Sequence, residues 1–175
     1  SVKVNLCNQI RHYKENSGYD FSHWINACKS YIPLVRQYTP HTYEELRGLA
    51  DGAGLAFEEV LSLTSAYELA VAGGNVADKC TGFFAAGTYT EDGGAICGQT
   101  NDEDFSEWIP YLDVVLKHQN TEGPSALVYT HPGIAAYMGM NNAGLSVLWQ
   151  YIDNGERTAD GLGVPTNCII RELLF

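Results

Sequence analysis

The chain of 175 residues is poor in basic residues, has no C-x-x-C pair and contains no apolar run long enough to cross a membrane. Ten Lys and Arg stand against 21 Asp and Glu, which gives a formal net charge of -11. This balance disfavours nucleic acid or an anionic membrane as a partner, because both carry negative charge. The sequence also lacks a signal-peptide pattern. It does not begin with Met, which is consistent with processing or trimming.

The cysteine pattern points to free thiols. Five cysteines are an odd number, and their spacing fits neither a metal site nor a disulfide scaffold. Reduced thiols in an intracellular compartment are therefore expected, and no metal or cofactor is called for. The length suits one domain, and 45% apolar residues are enough to build a core. The cysteines are Cys7, Cys28, Cys80, Cys97 and Cys168.

Helical patterns fill the first part of the chain, and strand patterns follow, which predicts an α+β fold. Apolar residues at the helical period predict helices over Val2–Glu15, Phe21–Ile32 and Phe57–Leu69. Thr42 and Glu45 have the spacing of a capping box, which would open another helix. Strands are predicted over 112–117, 125–130, 135–140 and 145–152. A last helix from 165 onward has no exit signal, so the chain is expected to end within that element.

The most informative stretch is a predicted β-hairpin. Its two apolar runs, Lys79–Gly87 and Ala95–Asp102, flank a turn that contains the strong Asp92-Gly93 signal. A cysteine, Cys80, opens the first strand, and an Asn-Asp pair closes the second. Antiparallel pairing is expected to return Asp102 to the neighbourhood of the Cys80 thiol.

Three interpretations of Cys80 follow from the residues. It can be a small core residue, since free cysteines are often buried. It can be a nucleophile that takes His131 as its base, as in Cys/His proteases. It can also become an N-terminal residue, if the bond after Lys79 is cut. Its own α-amine, with a pKa of about 8, then serves as the base near neutral pH.

A set of motifs supports the third interpretation. Lys79-Cys80-Thr81 followed by Gly98-Gln99-Thr100-Asn101-Asp102 resembles the start of the mature β-chain in the acyl-CoA:isopenicillin N acyltransferase family. The members of this family are self-cleaving N-terminal-nucleophile enzymes. The resemblance extends over nearly the whole chain. The further motifs are Leu46–Gly54 with Tyr67–Leu69, Gly139–Leu145, Val164–Asn167 and Arg171–Leu174.

The resemblance implies an αββα sandwich preceded by a helical pro-segment, of which this chain supplies the N-terminal half. It implies autocatalytic cleavage between Lys79 and Cys80, so that residues 1–79 and 80–175 stay together as a heterodimer. Cys80 would then form an acyl-enzyme with an N-acyl amide or an acyl thioester. Asp102 would orient the new α-amine, while Tyr151 and Thr81 would contact the substrate near the oxyanion.

The residue before the scissile bond keeps alternatives open. The family often has Gly before the scissile bond, and Lys79 restricts the strained backbone that such a shift uses. An uncleaved, inactive binding module of the same fold is therefore the competing interpretation. A Lys-Cys junction also occurs in the insect N-β-alanyl-amine hydrolases of this family, so hydrolysis of a β-alanyl amide is one expected activity beside penicillin-type acyl transfer.

Overall fold

The computed structural model describes residues 1–5, 7–8, 11, 21–72, 80–102, 113–151 and 162–175. The α+β class is confirmed, because helices come first, two antiparallel sheets follow and a helix comes last. The helices are α1 (Phe21–Cys28), α2 (Ile32–Tyr38), α3 (Pro40–Ala53), α4 (Phe57–Thr64), α5 (Ala66–Ala72) and α6 (Thr166–Leu173). The strands are β1 (Gly82–Ala86), β2 (Ala95–Gln99), β3 (Val114–His118), β4 (Ala126–Thr130), β5 (Met138–Asn141) and β6 (Ser146–Val147). None of the described helices has the length and apolar character needed to span a membrane.

The first helices follow the predicted periodicity with small changes. Residues 2–5 are helical, as the helix predicted from residue 2 requires, and residues 12–20 lie outside the described ranges. A 3-10 turn, Lys29–Tyr31, separates α1 from α2, and Pro33 lies in the first turn of α2. Proline fits there because the first N–H groups of a helix have no partner within it. Trp24, Cys28 and Val35 are buried at the spacing that the sequence indicated.

The predicted capping box at Thr42 is wrong. Helix α3 begins earlier, at Pro40, because proline is well suited to the first helical position. The N–H and hydroxyl of Thr42 instead donate to Glu172 Oε2, at 3.0 and 2.9 Å. A carboxylate from the last helix therefore takes the capping role that the sequence assigned to the helix itself.

The helix predicted over Phe57–Leu69 is in fact two helices, α4 and α5, with a break at Ser65. The hydroxyl of Ser65 donates to the Leu61 carbonyl at 2.7 Å, a local bond that often bends a helix. Helix α4 still supplies much of the core, since Val60, Leu61 and Leu63 are fully buried.

The second sheet has four antiparallel strands in the order β3-β4-β5-β6. Burial alternates along β4, so that Ala126 and Val128 face inward onto Ile170 and Leu174, at the end of the chain. The opposite face carries Val115, Leu127 and Met140, which are 66%, 45% and 54% exposed. One face of this sheet is thus covered by helix, and the other presents apolar side chains to solvent.

Helix α6 connects the sheet to the first helices. Arg171 is 1% exposed, and its Nε donates to Glu45 Oε2 at 2.8 Å. Its Nη2 lies 2.8 Å from Nδ1 of His118 on β3. Arginine can only donate, so Nδ1 of His118 accepts and its proton resides on Nε2. Three elements, α3, α6 and β3, therefore meet at one buried guanidinium.

A carboxylate also caps the start of α6. Glu68 on α5 accepts the N–H of Thr166 through Oε1 at 2.7 Å. Burial, which outweighs this hydrogen bond, raises the pKa of Glu68. Asn167 Nδ2 donates to the Thr64 carbonyl at 3.2 Å, which adds a second bond to the same end of the helix. The predicted pro-segment thus contacts both the start and the last turn of α6.

Candidate functional site

The predicted hairpin forms and sets the position of Cys80. Strands β1 and β2 are antiparallel, with Gly82 opposite Gln99. The pairing continues outward, because Thr81 O accepts the Thr100 N–H at 2.8 Å and Thr81 N–H donates to Thr100 Oγ1 at 2.9 Å. The next position on the first strand is Cys80, which therefore lies at the open end of the hairpin.

Cys80 has an unusual backbone. Its φ is +107°, and among the described residues it is the one non-glycine residue with a positive φ. Such a conformation is sparsely populated for a residue with a Cβ and costs on the order of 1–3 kcal/mol. The thiol is half-buried, and its Sγ lies 3.9 Å from Asn101 Oδ1. The strained residue is thus the one that the sequence predicted as a candidate nucleophile.

The other predicted hairpin residues lie near this end. Thr81 and Asp102 are both exposed, and Asp102 follows Asn101 directly. The residue that approaches the thiol is Asn101, which sequence reasoning did not name as a site residue. The signal was available, since a register that pairs Gly82 with Gln99 sets Cys80 opposite Asn101. Lys79 lies outside the described residues.

The open end of the hairpin is attached to the segment after β6. Gln99 Nε2 donates to the Trp149 carbonyl at 2.9 Å, and Gln99 Oε1 accepts the Trp149 N–H at 2.7 Å. The strand predicted over 145–152 is correspondingly shorter, Ser146–Val147, because the backbone at Trp149 pairs with a side chain. Sequence reasoning missed this contact, which joins residues far apart in the chain.

Tyr151 lies on the same segment and is half-buried. Its ring packs edge-on against Tyr67 of α5, with centroids 5.2 Å apart. Tyr67 also packs against Trp149 at 4.7 Å, and Trp149 packs against Tyr137 at 5.6 Å. An aromatic row thus supports the segment that carries Tyr151, and one of its members comes from the predicted pro-segment.

His131, the alternative base, is 6% exposed. Its Nδ1 lies 3.2 Å from Asp113 Oδ1, and its ring packs edge-on against Tyr137 at 5.0 Å. The Tyr129 hydroxyl donates to the same Asp113 oxygen at 2.8 Å. The structure therefore gives His131 a carboxylate partner at the edge of the four-stranded sheet.

Two other cysteines, Cys28 and Cys168, have buried thiols. Burial raises the pKa of Cys28 to about 12, and Cys28 Sγ lies 3.6 Å from Ser65 Oγ. Burial also raises the pKa of Cys168 far above its usual range. Both thiols stay protonated and inert at neutral pH, whereas Cys80 is partly accessible.

Among the residues that the structure describes, no three His, Cys, Asp or Glu side chains form a group that could bind a metal ion. No model of a known protein family matches the chain, and no curated protein matches it either. The resemblance noted above therefore depends on the motifs and their order.

Proposed function

We propose that the chain belongs to a self-cleaving N-terminal cysteine amidohydrolase or acyltransferase, with Cys80 as the nucleophile. The observation that carries the proposal is the strained backbone of Cys80, φ +107°, at the open end of a hairpin beside Asn101. Strain stored at one residue in this way is a common feature of functional sites.

The cleavage step begins when the Cys80 thiolate attacks the carbonyl carbon of Lys79. A C–S bond forms, the C–N bond to the Cys80 nitrogen breaks, and that nitrogen takes up a proton. Water then hydrolyses the thioester, which gives Lys79 a carboxylate and returns the thiol. The step relieves backbone strain, because Cys80 is no longer held by a peptide bond on its N-terminal side.

The released α-amine supplies the base for the second reaction. With a pKa of about 8, it accepts the thiol proton near neutral pH. The thiolate attacks the carbonyl of an N-acyl amide or acyl thioester, the amine or thiol leaves, and water or an amine resolves the acyl-enzyme. We assign orientation of the α-amine to Asp102, and substrate contact to Thr81 and Tyr151.

The αββα architecture belongs to the same proposal. Helix α6 covers one face of the four-stranded sheet, and the other face exposes Val115, Leu127 and Met140. An apolar sheet face of this kind is what a second sheet covers in a sandwich. The helix layer and the four-stranded sheet thus supply two of the four layers that the proposed αββα sandwich requires.

The proposal also requires the two segments to stay together after cleavage. Partly buried contacts across the boundary support this, since Arg171 binds Glu45, Glu172 binds Thr42 and Thr166 binds Glu68. We expect the fragments to co-purify as a heterodimer and to separate only in denaturant.

The test compares intact mass and N-terminal sequence of the wild-type protein with those of Cys80→Ala. Cys97→Ala is the matched control, because Cys97 is a half-buried cysteine on the same hairpin. We expect two fragments in wild type and Cys97→Ala, the second beginning Cys-Thr-Gly, and one chain in Cys80→Ala. A folded wild-type protein that remains a single chain would contradict the proposal.

Substrate screening follows if cleavage occurs. N-β-alanyl amines and penicillin-type acyl donors are the two classes to test first, and Cys80→Ala should process neither. His131→Ala separates this mechanism from a Cys/His hydrolase, since it should retain cleavage and turnover if the α-amine is the base.

The second candidate is an uncleaved binding module of the same fold. Lys79 favours it, because a side chain before the scissile bond restricts the strained backbone. The exposed Phe83 and Phe84 on β1 also offer an apolar surface to a protein partner. Slow alkylation of Cys80 in a single uncut chain would support this candidate, whereas rapid labelling that abolishes turnover would exclude it.

A further inference from the structure

We propose that Gln99 is a positioning residue, whose carboxamide holds the segment Trp149–Tyr151 against the hairpin that carries Cys80. The inference rests on the proposed function of Cys80 and adds the means by which the segment that carries Tyr151 is held against the hairpin. Gln99 touches no reacting atom in this scheme and acts through the segment it binds.

The two hydrogen bonds of Gln99 have the pattern of a strand pair. Its Nε2 donates to the Trp149 carbonyl at 2.9 Å and its Oε1 accepts the Trp149 N–H at 2.7 Å. One side-chain amide thus satisfies both backbone groups of a residue that lies beyond the end of β6. Asparagine would carry the same groups on a shorter stem, and glutamate would lack the donor when ionised.

A second contact joins the same two parts. Gly82 pairs with Gln99 across the hairpin, and the Gln150 side chain lies directly over Gly82. A Cβ added at Gly82 would collide with the side-chain amide of Gln150. The segment therefore approaches the backbone of the hairpin two residues from Cys80, and Gln99 fixes the distance between them.

The aromatic contacts alone do not fix the orientation of the segment Trp149–Tyr151, so we assign that role to Gln99. Tyr67 contacts both Trp149 and Tyr151 edge-on, at 4.7 and 5.2 Å. Ring contacts of this kind are directionally weak compared with two aligned hydrogen bonds. A shift of the segment by about 1 Å relative to a nucleophile can lower a rate by about 100-fold.

The test uses Gln99→Ala, which removes both bonds, and Gln99→Glu, which restores them only when protonated. A protonated carboxyl keeps a C=O acceptor and supplies an O–H donor, so Gln99→Glu mimics the wild type at low pH and fails at high pH. Gln119→Glu is the control, because Gln119 is exposed and lies outside this contact.

The expected result is a kcat for N-acyl amide hydrolysis lowered about 10- to 100-fold in Gln99→Ala, with a smaller change in KM. The kcat of Gln99→Glu, divided by that of the wild type at the same pH, should fall as pH rises through the pKa of the introduced carboxyl group. The same quotient for Gln119→Glu should not change with pH. Equal activity of Gln99→Ala and wild type, or a pH-independent loss in Gln99→Glu, would overturn the inference.

Amide exchange separates this inference from the proposed function. The Trp149 N–H should exchange faster in Gln99→Ala than in wild type or Gln119→Glu, whether or not the protein is active. An inactive, uncut wild type with that exchange pattern would refute the function of Cys80 and uphold the Gln99 contact. Unchanged exchange in Gln99→Ala would refute the contact, even in an active enzyme.

Discussion

The surroundings of helix α6 and the Cys80 hairpin are opposite environments in one small chain. At α6, Arg171 is 1% exposed and reaches Glu45 and His118. On the hairpin, Phe84 is 72% exposed, and Cys80 holds a positive φ. The first region buries charged and apolar side chains against one another, whereas the second leaves apolar groups uncovered and stores strain.

The difference indicates where stability and reactivity reside. Free energy of unfolding depends on buried contacts, which concentrate around α6 and α4. Under the proposed function the Cys80 thiol must be accessible to a substrate, and segments that serve such a role contribute little to global stability. Substitutions near α6 should therefore change unfolding and spare Cys80 reactivity, and substitutions on the hairpin should do the reverse.

Around α6, the largest expected effect is that of Arg171→Ala. Removal of a buried guanidinium leaves Glu45 and His118 without their partner and should lower the free energy of unfolding by about 3 kcal/mol. This value is at the low end for a buried pair, because 30% of the Glu45 side chain is exposed. Urea unfolding gives the measurement, and Arg47→Ala, in an exposed pair with Glu44, should change stability by less than about 0.5 kcal/mol. Equal effects of the two variants would break the comparison.

Alanine substitution at two glycines of the stable region should change the free energy of unfolding in opposite directions. A Cβ at Gly139 would lie 2.6 Å from both the Leu127 carbonyl oxygen and Leu174 Cδ1. Gly139→Ala should therefore lower the free energy of unfolding by about 1–3 kcal/mol. A Cβ at Gly48, on α3, meets nothing within 4 Å, so Gly48→Ala should raise it by about 0.5–1 kcal/mol. Thermal unfolding of the two variants checks both signs, and stabilisation by Gly139→Ala would refute the close packing of α6.

A smaller effect depends on pH. Burial, followed by the charge of Arg171, lowers the pKa of His118 below its ordinary 6.5, although Glu45 opposes the shift. The unfolded chain then binds a proton more readily than the folded one, so stability is complete above about pH 6.5 and falls as pH drops through the folded pKa. His118→Asn keeps an acceptor near Nδ1 and cannot titrate. Between pH 7 and pH 5, urea unfolding should show a larger loss in the free energy of unfolding for the wild type than for His118→Asn. Equal losses in the two proteins would show that His118 does not cause the pH dependence.

The smallest effect is expected on the hairpin. Phe84 is 72% exposed, so Phe84→Ser should change the free energy of unfolding by less than about 0.5 kcal/mol. Leu61→Ala, at a fully buried position of α4, should cost about 2–5 kcal/mol in the same experiment. A large loss in Phe84→Ser would mean that the hairpin belongs to the stable core, which would end the distinction between the two regions.

The sequence by itself determined the local elements. The Asp92-Gly93 turn and the two apolar runs were enough to predict the hairpin, whose two strands pair antiparallel as expected. The change from helical to alternating periodicity predicted the α+β class. These features depend on the backbone preferences of neighbouring residues, which the order of amino acids contains directly.

Tertiary structure alone decided the contacts between distant residues. Gln99 pairs with Trp149, and Thr42 receives its cap from Glu172, although 50 and 130 positions separate the partners. Arg171, which the sequence placed on the last helix, is buried at the junction of three elements. Which polar side chains meet depends on how the apolar faces of helices and sheets pack together, and this is a property of the whole fold.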